Sequence, residues 1–473
     1  MKKLLGSTLA LAMFLPAGAN AELLKNLKVS GQLDIQADAA NNVTDFQTRV
    51  ANPTVNSAND RIGSVNTRLI VKADWDLLDD VHSRVTLVKG ANNQAGGARA
   101  YGSGAQNLDA WQTQTFVQEA SVKIDKLFGA VDTTMGRQFY GEPGDLIVYF
   151  GPKDNYGLSV TALDAFRADW NGEHIGITGL GGKLAGGSIG SAPADTDLTG
   201  VVAALKGYDM HAESIYLYNK VTHSANQQGA LNGLSDNLWV LGAKTKLTAG
   251  GLTVKAEVAK NFGQNRTTAG AIQAAPAANP LNSSNYNGWG LLANAAYKAD
   301  INNVGSITPW GEFAYGTGRK RSAAVSNSNE DFQMIASDYR PGGIYGRFDT
   351  FLGNTLPGNT GGANVAGLTN KTIYGLGVKA NPAAVAKLTV GAQWYHYAWT
   401  RTSLQTAQTA NGQNSRNIGS EVDVTAEWKH SENVGLKLTL GTFQPGAWVS
   451  DIKGPNATSN PATLAALDTN IRF

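Results

Sequence analysis

Gly186-Gly187-Ser188-Ile189-Gly190 matches the Gly-x-Ser-x-Gly pattern in which a serine on a strand-to-helix turn attacks a carbonyl carbon. That chemistry needs a helix after the serine and a His and an acid beside it. A Gly/Ala-rich stretch without helical periodicity surrounds it instead, so no nucleophile is assigned. The six histidines, His82, His174, His211, His223, His396 and His430, are scattered, and none pairs at metal-ligand spacing. Cysteine is absent, which excludes disulfides, Fe–S clusters and thiolate zinc sites. The chemistry left is that of fixed charge. Arg68, Lys72 and Asp74 alternate with Leu69, Val71, Ala73 and Trp75. Lys244 and Lys246 oppose Trp239, Leu241 and Ala243; Lys255 and Glu257 oppose Val254, Ala256 and Val258; Glu421, Asp423 and Glu427 oppose Val422, Val424 and Trp428.

Period-two alternation of this kind belongs to strands with one charged and one apolar face. About ten-residue runs recur near 28–37, 63–76, 81–90, 113–125, 127–138, 160–170, 173–184, 198–207, 209–219, 237–247, 251–262, 287–299, 305–316, 371–380, 386–399, 418–429, 434–443 and 463–473. Their connections alternate strictly in length. Short ones, such as Leu78-Asp79-Asp80, Asp125-Lys126, Asn171-Gly172, Gly207-Tyr208, Ala249-Gly250 and Asn381-Pro382-Ala383, are built from turn formers. Between them lie long Gly-, Asn- and Ser-rich stretches, the longest at 317–370. Tight turns at one end and long loops at the other predict an all-β, transmembrane antiparallel β-barrel of about 18 strands, with short periplasmic turns and long extracellular loops. A miscount by one hairpin gives sixteen.

The ends of the chain fit export to an outer membrane. Met1-Lys2-Lys3, the apolar run from Leu4 to Leu15 and Ala19-Asn20-Ala21 read as a signal peptide, residues 1–21, ahead of a barrel at 22–473. The last segment alternates to a terminal Phe473, the ending that barrel-assembly machinery takes up. Beyond the signal there is no apolar run long enough for a membrane helix, and no composition shift divides the chain. With Lys2 and Lys3 set aside, 37 basic residues face 37 acidic ones, so net charge gives no argument for nucleic acid.

Charge on the lipid face at mid-bilayer costs roughly 2–4 kcal/mol for Arg or Lys, so the charged parity must face the lumen. Trp75, Trp170, Trp239, Trp310, Trp394, Trp399 and Trp428 lie near strand ends, as girdle residues do. Strand 160–170 conflicts with itself: Asp164 and Arg167 have opposite parity, and both can face inward only across a bulge.

Gly136-Arg137-Gln138-Phe139-Tyr140-Gly141, followed by Leu163-Asp164-Ala165-Phe166-Arg167, resembles the alginate-export family of bacterial outer-membrane porins. Asp331-Phe332-Gln333 with Gly342-Gly343-Ile344-Tyr345-Gly346, and Gly441-Thr442-Phe443-Gln444-Pro445-Gly446, resemble two further motifs of that family. The resemblance implies an eighteen-stranded barrel that conducts solutes. The family's polymer exporters line the channel with arginines, whereas here Lys72, Lys123, Lys244 and Lys255 mix with Asp74, Glu119, Glu257, Glu421 and Glu427. The expectation is therefore a porin for passive diffusion of small hydrophilic solutes, anionic or saccharide-like ones favoured. The alternatives are a dedicated alginate-type exporter and a plugged barrel acting as a surface adhesin.

The candidate selectivity residues are Arg137, Arg167, Asp164, Glu119, Lys72, Lys123, Lys244, Lys255, Arg340 and Arg347. Arg137 and Arg167 either hold a positive field in the lumen or form structural pairs with Asp164 or Glu119. The 317–370 loop, opening on Arg319-Lys320-Arg321, either contacts solvent and lipopolysaccharide or folds in with Arg340 and Arg347 to narrow the channel. Membrane lipid and solutes are the implied partners, no enzyme activity or cofactor is implied, and the oligomeric state is open between monomer and trimer.

Overall fold

The computed structural model describes residues 25–43, 61–90, 115–185, 195–206, 211–223, 235–265, 284–318, 328–348, 367–401, 415–449 and 459–473. The signal segment, Ser188, Gly207-Tyr208 and Arg319-Lys320-Arg321 lie outside them. The strands are β1 (Lys25–Asn41), β2 (Arg61–Leu78), β3 (Val81–Lys89), β4 (Thr115–Leu127), β5 (Val131–Gln138), β6 (Leu163–Asn171), β7 (Ile175–Ala185), β8 (Thr196–Leu205) and β9 (His211–His223). The chain continues through β10 (Ser235–Ala249), β11 (Leu252–Asn265), β12 (Trp289–Tyr297), β13 (Gly305–Gly316), β14 (Lys371–Pro382), β15 (Leu388–Trp399), β16 (Asn417–Lys429), β17 (Val434–Pro445) and β18 (Ala462–Arg472). Short segments Ser284–Tyr286 and Ala299–Ile301 extend the ladder on either side of β12, and Ser328–Asn329 pairs parallel with the first of them.

Each of the eighteen long strands pairs antiparallel with its neighbours in the chain, and β1 pairs with β18, so the sheet is closed. Closure leaves no edge and satisfies the backbone polar groups within the sheet, which the interior of a bilayer demands. The seam is finished by Phe473, whose backbone exchanges two hydrogen bonds with Gly31, of 2.7 and 3.0 Å. Among the described residues no helix is long and apolar enough to cross a membrane.

Outward faces carry exposed Val65, Val117, Phe166, Val201, Ile215, Val258, Leu376, Val424 and Leu440. Inward faces carry the charged parity and a buried core. Differences from the sequence reading concern aromatics and two turns. Trp310 and Trp399 point inward, not into a girdle: Trp310 lies over Gly375 and Gly377, with Tyr395 at 5.8 Å, and Trp399 packs edge-on against Trp448 at 5.1 Å. β4 runs on to Leu127, so the turn lies at 128–130 instead of Asp125-Lys126, with positive φ at Phe128 and Gly129. The turn expected at Ala249-Gly250 lies one residue on, at Gly250-Gly251, both at positive φ.

Candidate functional site

Inside the barrel lie two segments, 139–162 and 328–348, both connections from the long-loop end. They cross the lumen together. Val148 forms a parallel bridge with Ala336, the Tyr149 amide donates to the Ala336 carbonyl at 2.8 Å, and the Asp338 amide donates to the Asp145 carbonyl at 2.9 Å. Leu146, Ile147, Val148, Phe332, Ile344 and Phe348 are buried in one cluster with inward residues of the wall. An apolar run such as Asp145-Leu146-Ile147-Val148-Tyr149-Phe150 is explained by this: it is core enclosed by the barrel.

The wall holds these segments with its charged parity. Arg68 of β2, 1% exposed, bonds Asp34 of β1 at 2.7 Å and donates to the carbonyls of Lys153, Leu158 and Ser159. Arg347 reaches from the second segment to Asp38 at 2.7 Å and to Asp468 at 2.6 Å, spanning the β1/β18 seam. Burial alone would pull its guanidinium down, but the bonds and charge of Asp468 and Asp38 leave it above its ordinary value. Glu421 and Asp423, both fully buried on β16, accept from the backbone amides of Gly343 (2.9 Å), Ile344 (2.5 Å) and Tyr345 (3.0 Å). Tyr339 donates to Glu312 at 2.6 Å; its phenol is pushed well up by burial, and Glu312 reinforces the shift. Lys244 bonds Asp145, and Tyr140 meets the Tyr218 hydroxyl at 3.0 Å.

These contacts change the reading of the candidate residues. Glu119 is buried, accepting from the Thr86 hydroxyl at 2.6 Å and the Phe139 amide at 3.3 Å. Glu257 is buried against the Tyr216 hydroxyl, and Lys123 bonds Asp125 at 2.6 Å. Lys72 faces inward with its ammonium 6.0 Å from the Phe139 ring, and Lys255 faces inward exposed. Arg340 bonds Asp338 at 3.2 Å within its own segment.

Arg137 and Asp164 require a correction. They are directly opposed in the β5/β6 ladder, which has no bulge, and they share a column with Met135, Phe166 and Trp170, all exposed on the outer face. Their 3.0 Å ion pair is therefore on the outside of the barrel, and neither lines the lumen. Arg167, one residue off that parity, faces inward and bonds Asp169 at 2.7 Å. The parity conflict in 160–170 thus has a simple resolution: the two charges take opposite faces.

Asp34, Asp38, Asp468, Arg84 and Lys379 also face inward, beyond the charges expected from single strands. Alternation in Asp34-Ile35-Gln36-Ala37-Asp38 was the available signal. Among the described residues every inward carboxylate of the wall is engaged: Asp74 by Arg84, Asp76 and Asp125 by His82, Asp169 by Arg167, Asp236 by Tyr286, Glu427 by Lys437, and the rest as above, with Asp132 beside Lys123. Lys72, Lys246, Lys255 and Lys379 face inward and have no carboxylate within ion-pair distance. Lys246, Lys255 and Lys379 are exposed, whereas Glu119, Glu257, Glu421 and Asp423, which have no cation at ion-pair distance either, are buried.

A family model described as alginate export matches residues 326–463. That segment contains the second inward crossing, Glu421, Asp423 and the Gly441–Gly446 motif, whereas the Gly136–Arg167 motifs lie before it. No curated protein matches the sequence. Among solved structures the chain is similar to OccD3 (OpdP) of Pseudomonas aeruginosa, at TM-score 0.52 and 10% identity over 95% of this chain and 92% of that one. OccK9 (OpdG) of the same organism gives TM-score 0.53 and 11% identity over 95% and 100%. A BenF-like porin from Pseudomonas fluorescens Pf-5 gives 0.51 and 12% over 95% and 99%. At such identities the likeness is one of fold. Residues 326–463 are thus similar in sequence to the alginate-export family model, and the chain has the closed β-barrel fold of these porins.

Proposed function

We propose that this protein is an outer-membrane channel through which small hydrophilic solutes diffuse passively, with anionic solutes favoured. The observation that carries this reading is what the lumen can reach on the inner wall: Lys246, Lys255 and Lys379 are exposed without a carboxylate partner, whereas Glu119, Glu257, Glu421 and Asp423, which lack a cationic partner, are buried. In a confined, water-filled lumen with low-dielectric walls, exposed ammonium groups raise the local concentration of anions and repel cations. The two inward segments set the size limit: long extracellular connections that fold back narrow the bore, and Arg340 and Arg347 hold them in shape rather than project freely into it. A closed barrel supplies what such a role needs in lipid, with apolar residues outside and polar ones inside.

Reconstitution in planar bilayers tests the proposal. Stepwise openings in KCl, with a reversal potential favouring chloride over potassium, are the expected result. A folded barrel that passes no current would overturn it in favour of a plugged adhesin. Current that requires a crosslinkable periplasmic partner would instead favour the dedicated exporter.

A further inference from the structure

On the inner wall near the short-turn end, Lys246 of β10 and Lys255 of β11 are directly opposed in the ladder, and both side chains are exposed. Residues so placed have Cβ atoms about 4.5–5.5 Å apart, and like charges there destabilise the sheet. The next row towards the long-loop end holds the opposite arrangement: Lys244 faces Glu257 and bonds Asp145 of the inward segment. That row holds one ammonium and two carboxylates; this one holds two ammoniums and no acid. The flanking positions are Ala212 on β9 and Asn294 on β12, neither of them charged.

The two ammonium groups thus repel one another with no carboxylate within ion-pair distance of either, one row beyond the contact that anchors the first segment. An oxyanion between them removes the repulsion and meets up to six N–H donors. We propose that Lys246 and Lys255 form an oxyanion subsite that binds the carboxylate or phosphate group of a solute after it has passed the inward segments. The proposal rests on the channel reading for its role in transport, though binding itself does not require flow.

The test is titration of inorganic phosphate, and separately of succinate, into the refolded protein in detergent at low ionic strength, followed by calorimetry. Lys246→Gln and Lys255→Gln each weaken binding about fivefold, and the double variant abolishes it. Lys437→Gln, on the same face but beside Glu427, leaves affinity unchanged. Lys255→Glu abolishes binding without lowering the thermal midpoint, because the opposed pair becomes attractive. Wild-type affinity in the double variant, or a lowered midpoint in Lys255→Glu, overturns the subsite. KCl currents separate the two readings: a conducting protein whose phosphate affinity ignores both lysines loses the subsite and keeps the channel. A protein that binds phosphate through them and carries no current does the reverse.

Discussion

Arg137 and Arg167 show how much one step of register decides. They look equivalent in the sequence, yet Arg137 shares an outer column with Phe166 and Trp170 while Arg167 meets Asp169 in the lumen. Selectivity should follow the face. Arg137→Ala is expected to leave the chloride-to-potassium permeability ratio unchanged, because its pair with Asp164 lies on the outer face. Arg167→Glu is expected to lower that ratio by about twofold or more, since it reverses a charge in the confined lumen. Reversal potentials across a KCl gradient compare the two variants directly, and equal shifts would refute the placement.

At the level of elements, strand positions were readable because a half-buried strand alternates with period two, and 418–429 and 251–262 do so cleanly. What one strand cannot report is its neighbour's register. Alternation alone therefore cannot put Asp164 on the outer face, nor tell that Glu119, Glu257 and Glu421 hold hydroxyls and loop amides instead of facing solutes. The inward crossings were half legible: Asp145–Phe150 is too apolar for a solvated loop, but its partner strand lies far away in sequence. Glu421 and Asp423 should behave as the anchor of the second crossing. Replacing both with Ala leaves the buried amides of Gly343, Ile344 and Tyr345 unsatisfied, each at about 1–3 kcal/mol. Faster hydrogen exchange at 342–346 and noisier open-channel current are expected, with the barrel itself still folded. The seam offers a second test. A Cβ on Gly31 would come within 2.3 Å of the Phe473 ring, whereas one on Gly63 meets nothing within 4 Å. Gly31→Val is expected to push the exposed Phe473 ring aside and weaken the seam, seen as loss of the compact gel band at a lower temperature than wild type, and Gly63→Val to match wild type.

For the whole molecule, net charge is a poor guide to what the pore prefers. Basic and acidic residues nearly cancel in the sequence, and a channel lined at random from that composition would discriminate little. Geometry breaks the tie by accessibility. Asp34, Asp38 and Asp468 pair with Arg68 and Arg347, and Glu421 and Asp423 are buried on backbone amides, whereas Lys246, Lys255 and Lys379 are exposed in the lumen, where solutes meet them. A preference arising this way acts at a distance and must be screened. The Debye length falls from about 10 Å at 0.1 M salt to about 3 Å at 1 M. The chloride-to-potassium permeability ratio should therefore exceed unity at 0.1 M and decline towards the free mobility ratio at 1 M, with channel size unchanged. A ratio that stayed constant across that range would mean that the inward lysines do not govern permeation and that selection rests on the shape of the inward segments alone.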